Sequence, residues 1–143
     1  MAPILLVEDD PHLILLYRRF LQEAGFLVLA AATGQEAMQL LEQKQVCLII
    51  TDLLMPDGDG FELMRMVHNR FAAVPVIAIT GGGRFMSSQF LLDSARTLGA
   101  RKVLHKPFSA DELLQSVLTV LQEAEQTTQL PNLENRTVSS AQA

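Results

Sequence analysis

The sequence is poor in residue types that many small proteins depend on. Of its 143 residues, one is cysteine and none is tryptophan. The single cysteine, Cys47, cannot form an intrachain disulfide, so the fold has to depend on a packed core. Lys and Arg total 11 against 16 Asp and Glu, which gives a net charge of -5. This balance argues against a nucleic-acid-binding domain, which normally shows a basic face.

Long apolar runs are also missing. No stretch approaches the roughly 18 apolar residues that a membrane-spanning helix needs. The first apolar run, Ile4–Val7, is interrupted at once by the acidic run Glu8-Asp9-Asp10, which does not resemble a secretory signal peptide. We therefore expect a cytoplasmic protein that does not bind membranes.

Apolar residues are nevertheless abundant, at 49% of the chain, which is enough for the core of one ordinary domain. Short apolar runs alternate with segments of helical spacing. Most of the runs are nearly all apolar rather than alternating, as in parallel strands covered on both faces. The predicted strands are Ile4–Val7, Leu27–Ala31, Val46–Thr51, Val76–Thr80 and Lys102–Leu104.

Five helices are predicted between and after these strands. Proline near a helix start, glycine just past its end and a Ser or Thr cap mark several of their bounds. Ser109 and Glu112 form a capping box at the last one. The predicted helices are Pro11–Ala24, Gly34–Gln43, Gly60–Asn69, Ser87–Leu98 and Ser109–Glu123. Strict alternation of strands and helices predicts a doubly wound α/β fold, with helices on both faces of a parallel sheet.

The last segment differs from the rest of the chain. Residues 124–143 are rich in Gln, Thr, Ser and Asn and have no sustained apolar period. Such a composition cannot bury enough apolar surface to fold on its own. We therefore expect one domain over residues 1–123 and a polar, disordered tail or linker over residues 124–143.

Polar residues stand where four of the predicted strands end. Because the carboxyl ends of parallel strands lie on one edge of the sheet, where such folds bind ligands, we expect these side chains to lie close together. They are Glu8-Asp9-Asp10, Asp52, Thr80 and Lys106. Each of them alone is also explained as turn or helix-cap chemistry. Their joint position at one edge favours a functional site.

The residue types point to phosphoryl chemistry. Several carboxylates in one place repel each other, and a divalent cation relieves that repulsion. Oxygen ligands without a Cys or His cluster favour Mg²⁺ or a similar hard ion such as Mn²⁺. An aspartate can then act as the nucleophile, while the metal and a lysine offset the charge of the phosphoryl oxygens. A threonine hydroxyl can donate to one of those oxygens.

In combination, four motifs resemble those of the response regulator receiver family of two-component signalling. They are Ile-Leu-Leu-Val-Glu-Asp-Asp-Pro at 4–11, Asp-Leu-Leu-Met-Pro-Asp-Gly-Asp-Gly at 52–60, Ile-Thr-Gly at 79–81 and Lys-Pro-Phe at 106–108. The resemblance covers residues 3 to about 123. It implies a flavodoxin-like fold, with a five-stranded sheet in the order 2-1-3-4-5. It also implies a signalling phosphoacceptor rather than an enzyme, with only self-phosphorylation and self-dephosphorylation chemistry.

The resemblance implies a role for each matching residue. Asp52 corresponds to the phosphoacceptor, Thr80 to the switch hydroxyl and Lys106 to the lysine that pairs with the phosphoryl oxygens. The implied metal ligands are Glu8, Asp9, Asp52 and the backbone carbonyl of Leu54. Asp9 is expected to bind directly and Glu8 mainly through water, whereas Asp10 falls one position past the acidic pair and is left out of the site. The peptide bond between Lys106 and Pro107 is expected to be cis.

The function implied by the resemblance is a step in a phosphorelay. A sensor histidine kinase or a histidine phosphotransfer protein donates the phosphoryl group, and the domain then changes its affinity for a downstream protein target or effector domain. Direct nucleic-acid binding and membrane binding by this domain are not expected.

Three alternative functions make different demands on the sequence. A pseudo-receiver would bind partners without being phosphorylated. A phosphatase with an aspartate nucleophile would usually need a second acid two residues on, where Leu54 stands. A Ca²⁺ loop starting at Asp57 would need Glu at its twelfth position, which is His68.

Two features depart from the family pattern. Three positions before Lys106, where family members usually carry Tyr or Phe, this chain has Val103, so the aromatic ring of the usual coupling is absent at this position. The stretch that begins Gly81-Gly82-Gly83 also looks a few residues longer than usual. Phe85, Met86, Phe90 and Leu91 in that region form either a partner surface or the core face of the fourth helix.

Overall fold

The described chain alternates strands and helices from its first strand to its last helix. The structure, a computed structural model, describes residues 1–55, 59–81 and 88–142, and the side chains of these except residues 59, 88 and 127–142. The strands are β1 Ile4–Val7, β2 Val28–Ala31, β3 Leu48–Asp52, β4 Val76–Thr80 and β5 Lys102–His105. The helices are α1 Pro11–Glu23, α2 Gly34–Gln43, α3 Asp59–Arg70, α4 Ser88–Thr97 and α5 Ala110–Gln142.

The strands form a parallel five-stranded sheet in the order β2-β1-β3-β4-β5. The predicted doubly wound fold and strand order are therefore confirmed. After β1 the chain adds β2 on one side of it and then β3 on the other side. The topological switch point between β1 and β3 is the crevice where such folds bind ligands. The register pairs Val7 with Thr51, so Glu8 and Asp52 leave the sheet side by side.

The two faces of the sheet bury separate apolar clusters, because successive side chains of a strand point to opposite sides. Leu5 and Val7 of β1 pack with residues of α2, α3 and α4. Ile4 and Leu6 pack with residues of α1 and α5. Since both faces are covered, most strand positions are apolar, and the polar residues of β3 and β4 stand at their carboxyl ends.

Side-chain caps begin three of the helices. Thr33 accepts a hydrogen bond from the backbone N–H of Glu36 at the start of α2. Asp10 caps α1 by accepting from the N–H of His12. At α5 the predicted capping box is present, since Ser109 Oγ accepts from the N–H of Glu112 and the Glu112 carboxylate accepts from the N–H of Ser109.

The last helix is longer than predicted. α5 continues to Gln142, whereas its apolar stripe predicted an end at Glu123. The later segment lacks the stripe but contains Gln, Glu and Ala, which favour helical backbone without any packing partner. The division into a domain over residues 1–123 and a polar tail over 124–143 stays a prediction. No helix of the described part of the chain is both long and apolar enough to cross a membrane.

The apolar residues around α4, interpreted above as either a partner surface or core, differ in their exposure. Leu91 is fully buried and belongs to the core, whereas Phe90 is 55% exposed. The core interpretation is therefore right for Leu91 and not for Phe90. Phe85 and Met86, with Gly82 and Gly83 before them, lie outside the described residues, as does Asp57, at which the Ca²⁺ loop would begin.

Candidate functional site

Three carboxylates meet at the carboxyl ends of β1 and β3. Glu8, Asp9 and Asp52 each offer an oxygen, and these oxygens lie within 4.8 Å of one another. Glu8 and Asp52 are buried, with 1% and 3% of their surface exposed, whereas Asp9 is exposed. The three side chains predicted as metal ligands are thus brought together, and an all-oxygen set suits a hard divalent cation such as Mg²⁺.

Both oxygens of the Asp52 carboxylate have a donor. The backbone N–H of Leu54 donates to Oδ1 at 3.0 Å, and Lys106 Nζ donates to Oδ2 at 2.7 Å. Two fixed donors hold the carboxylate in one orientation. The contribution of the Leu54 N–H was not anticipated from the sequence, because a backbone donor leaves no signal in residue identity. A role of the Leu54 carbonyl as a metal ligand stays a prediction.

Lys106 reaches the carboxylates from the far side of the site. Its backbone N–H donates to the carbonyl of Thr80 at 2.8 Å, which continues the pairing of β5 with β4 by one residue. Its Nζ lies 2.7 Å from Asp52 Oδ2 and 3.2 Å from Glu8 Oε1. The peptide bond between Lys106 and Pro107 is cis, as the motif predicted.

The close approach of these groups changes their acidity. Burial, with a hydrogen bond and the charge of Asp52, raises the pKa of Glu8 from 4.5 to about 7, although Lys106 opposes the rise. Burial lowers the pKa of Lys106, but the hydrogen bond and charge of Asp52 and the charge of Glu8 outweigh it and raise that pKa. The ammonium therefore stays charged at neutral pH.

Thr80 ends β4, the strand beside Asp52. It is fully buried, and the register places Ile79 opposite Asp52, so Thr80 lies one residue further along the edge. The predicted role of its hydroxyl stays a prediction. Asp10, left out of the predicted site, is occupied as the cap of α1.

Gly60, near the start of α3, lies against the end of β3 that carries Asp52. It ends the 52–60 motif but has no predicted role. A Cβ at this position would collide with the backbone carbonyl oxygens of Asp52 and Leu53. Only glycine lets α3 approach the end of β3 this closely. The sequence signal was present in the motif, but the steric reason appears only when the two backbones are seen together.

Val103 lies in β5 opposite Ala78 of β4. It is half-buried and packs against the apolar cluster on the α2, α3 and α4 face of the sheet. The side chain at this position is therefore a small part of the core and carries no ring that could change position.

Most of the chain is similar to one family of known proteins. The model of the response regulator receiver domain matches residues 4–118. The transcriptional regulatory protein GltR of Pseudomonas aeruginosa is 36% identical over 124 residues, which are 85% of this chain and 50% of that protein. The C4-dicarboxylate transport transcriptional regulatory protein DctD of the same organism is 39% identical over 145 residues, 98% of this chain and 28% of that protein. The chain thus spans half or less of the length of these curated relatives.

Solved structures show the same fold. A CheY-like response regulator receiver domain protein from Methanospirillum hungatei JF-1 superposes with a TM-score of 0.80 at 27% identity, over 89% of this chain and 98% of that one. The signal receiver domain of a putative Luxo repressor protein from Vibrio parahaemolyticus does so with a TM-score of 0.80 at 29% identity, over 90% of this chain and 96% of that one.

Proposed function

The chain belongs to the response regulator receiver domain family, the phosphoacceptor domains of two-component signalling, and on that premise we propose that Asp52 is the side chain that accepts the phosphoryl group. The observation that carries the proposal is the contact of Asp52 with Lys106 beside Glu8 and Asp9. A buried nucleophile, a cation for the transferred group and two further acids for a metal are then all present at one strand edge.

The transfer proceeds by in-line attack. A carboxylate oxygen of Asp52 forms a bond to phosphorus while the bond from phosphorus to the imidazole nitrogen of the donor breaks, and the imidazole keeps that electron pair. Lys106 moves from Asp52 Oδ2 to the phosphoryl oxygens, where charge accumulates. The Leu54 N–H keeps Oδ1 oriented during the attack.

A divalent metal completes the site. Glu8, Asp9 and Asp52 would hold it, with the Leu54 carbonyl as the further protein ligand. Mg²⁺ is the proposed ion and Mn²⁺ the alternative, because the donors are all oxygen. When bound, the metal neutralises charge on the transferring group.

The proposed partners follow from the same chemistry. A sensor histidine kinase or a histidine phosphotransfer protein supplies the phosphoryl group, and a downstream protein or effector domain responds to the phosphorylated form. The domain itself is proposed to act on proteins rather than on nucleic acid, in the cytoplasm, and to catalyse nothing beyond its own phosphorylation and dephosphorylation.

The assignment of Asp52 is tested with a small phosphodonor such as acetyl phosphate. The wild-type chain should gain one phosphoryl group, and Asp52→Ala should gain none. Stoichiometric incorporation that persists in Asp52→Ala would overturn the assignment. Steady turnover of a phosphate ester, which is not an acyl phosphate donor, would instead indicate a phosphatase.

A further inference from the structure

Two aromatic rings stack on each other next to the turn that carries Lys106. The rings of Tyr17 in α1 and Phe108 have centroids 4.9 Å apart and an interplanar angle of 27°. Tyr17 is only 4% exposed, and Phe108 is half-buried. Both belong to the apolar cluster on the α1 and α5 face of the sheet. The stack therefore fixes Phe108 against a helix that is itself held by the core.

The turn between β5 and α5 has anchors at its two ends. At the first, the Lys106 N–H donates to the Thr80 carbonyl at 2.8 Å. At the second, the capping box of Ser109 and Glu112 fixes the start of α5. Between these anchors lie Pro107, which is exposed, and Phe108. The ring of Phe108 is thus the side chain by which the middle of the turn is tied to the core.

Tyr17 also lies within electrostatic reach of the site. Burial is the main cause that raises the pKa of its phenol; Lys106 lowers that pKa, while Glu8 and Asp52 raise it. This agrees with helix geometry, because long side chains on a helix point back toward its N-terminus, which here follows Glu8 and Asp9. The Tyr17 ring therefore connects α1, the helix that follows Glu8 and Asp9, with the turn that carries Lys106.

The contact is made by the ring of Tyr17. No hydrogen bond of its hydroxyl is present within the described residues, whereas the stack with Phe108 is. Phenylalanine could replace tyrosine here without losing the stack, but a leucine could not reproduce a flat face parallel to Phe108.

We propose that Tyr17 is a positioning residue for Lys106: its ring, stacked on Phe108, holds the turn so that the ammonium sits between Asp52 and Glu8. This inference rests on the proposed function, in which Lys106 offsets the charge of the transferring group. Reactions of this kind depend on placement, and a displacement of about 1 Å can cost up to roughly a hundredfold in rate. Where the family usually has an aromatic residue in β5, this chain has Val103, which packs on the α2, α3 and α4 face of the sheet. Tyr17 and Phe108, which border the lysine turn, pack on the opposite face.

The test compares three variants with the wild type in Mg²⁺ and acetyl phosphate, with the adduct followed by intact mass. Tyr17→Leu should lower the limiting phosphorylation rate about tenfold or more, with little change in the donor concentration for half-maximal rate. Tyr17→Phe should restore that rate to within about twofold, because the stack is kept. Phe26→Leu is the matched control, since Phe26 packs against the same cluster but follows the far end of α1, and it should react like the wild type.

A second readout uses the wild-type protein. Tyr17 is the only tyrosine and there is no tryptophan, so tyrosine fluorescence reports on this ring alone. If the stack follows Lys106, the fluorescence should change when the adduct forms, and Lys106→Met should show a smaller change per mole of adduct counted by intact mass. This measurement decides the matter even if Tyr17→Leu fails to fold.

Failure of this inference can be distinguished from failure of the proposed function. Equal limiting rates in Tyr17→Leu and the wild type, or a loss in Tyr17→Phe as large as in Tyr17→Leu, would overturn the inference while Asp52 phosphorylation stands. Fluorescence that does not respond to a confirmed adduct would also overturn it. A wild-type chain that forms no adduct would overturn the proposed function itself.

Discussion

Lys106 and Asp52 are 54 positions apart in the chain, yet Lys106 Nζ lies 2.7 Å from Asp52 Oδ2. The same ammonium lies 3.2 Å from Glu8, so the turn after β5 is joined to the ends of β1 and β3. The side chains of the two acids are 2% and 5% exposed and that of the lysine is 22% exposed. Water therefore screens these ion pairs only weakly, and Lys106 is the cation that both buried acids share.

The first prediction concerns removal of that cation. At pH 8 and without metal, Lys106→Met should lower the free energy of unfolding by about 3 kcal/mol, because two buried carboxylates lose their counter-charge. Mg²⁺ should restore more stability to this variant than to the wild type, since a metal can replace the ammonium. Chemical denaturation with and without Mg²⁺ measures both effects.

Lys44→Met is the matched control for the same charge change. Lys44 is exposed and has no ion pair among the described residues, so its loss should change stability by less than about 0.5 kcal/mol. Equal destabilisation by both variants would show that the contacts of Lys106 with the acids have no special weight.

The second prediction concerns pH. The pKa of Glu8 is raised from 4.5 to about 7, so the folded protein holds this proton more tightly than the unfolded chain. The stability that Glu8 contributes is fully present below pH 4.5 and is lost as pH rises through about 7. With a chelator present, the unfolding free energy of the wild type minus that of Glu8→Gln should fall across this window. A flat difference would contradict the raised pKa.

The third prediction separates Asp9, the proposed metal ligand, from its neighbour Asp10. Asp9→Asn should weaken Mg²⁺ binding by about tenfold, because one of the three clustered carboxylates is lost. Asp10→Asn should leave the Mg²⁺ affinity within about twofold, since Asp10 serves as a helix cap and Asn is an equally good cap. Calorimetric titration with Mg²⁺ measures both, and a larger loss in Asp10→Asn than in Asp9→Asn would reverse the assignment.

The fourth prediction concerns the close approach of α3. Gly60→Ala should lower stability by about 1–3 kcal/mol or more, because the added Cβ collides with the carbonyls of Asp52 and Leu53. Gly81→Ala is the control at the same edge of the sheet: its Cβ would meet only the Lys106 side chain, at 3.7 Å, an ordinary contact. Thermal unfolding of both variants compares them, and an unchanged Gly60→Ala would show that this approach can relax without cost.

The fold and the side chains of the site could be predicted from the sequence because both depend on the types of residue and their order. Apolar runs and their polar ends located the strands, and the sheet order then brought Glu8, Asp9, Asp52 and Lys106 together as expected. The Leu54 N–H and the space at Gly60 were missed, since each depends on where two backbones meet.

Two other features were beyond the reach of periodicity. Tyr17 falls on the apolar stripe of α1, which marks it only as a core residue, and its stack with Phe108 depends on how α1 faces the turn after β5. The continuation of α5 was missed because the prediction relied on an apolar stripe, which a helical backbone does not require.

The central claim is that Asp52 accepts a phosphoryl group in a metal-dependent reaction. The most direct measurement is intact-mass spectrometry of the wild-type chain incubated with acetyl phosphate, with Mg²⁺ and with chelator, followed by mapping of the modified residue. The account predicts one added phosphoryl group that requires Mg²⁺ and is located on Asp52. An adduct on another residue, or no adduct and no phosphate release with Mg²⁺ present, would contradict it.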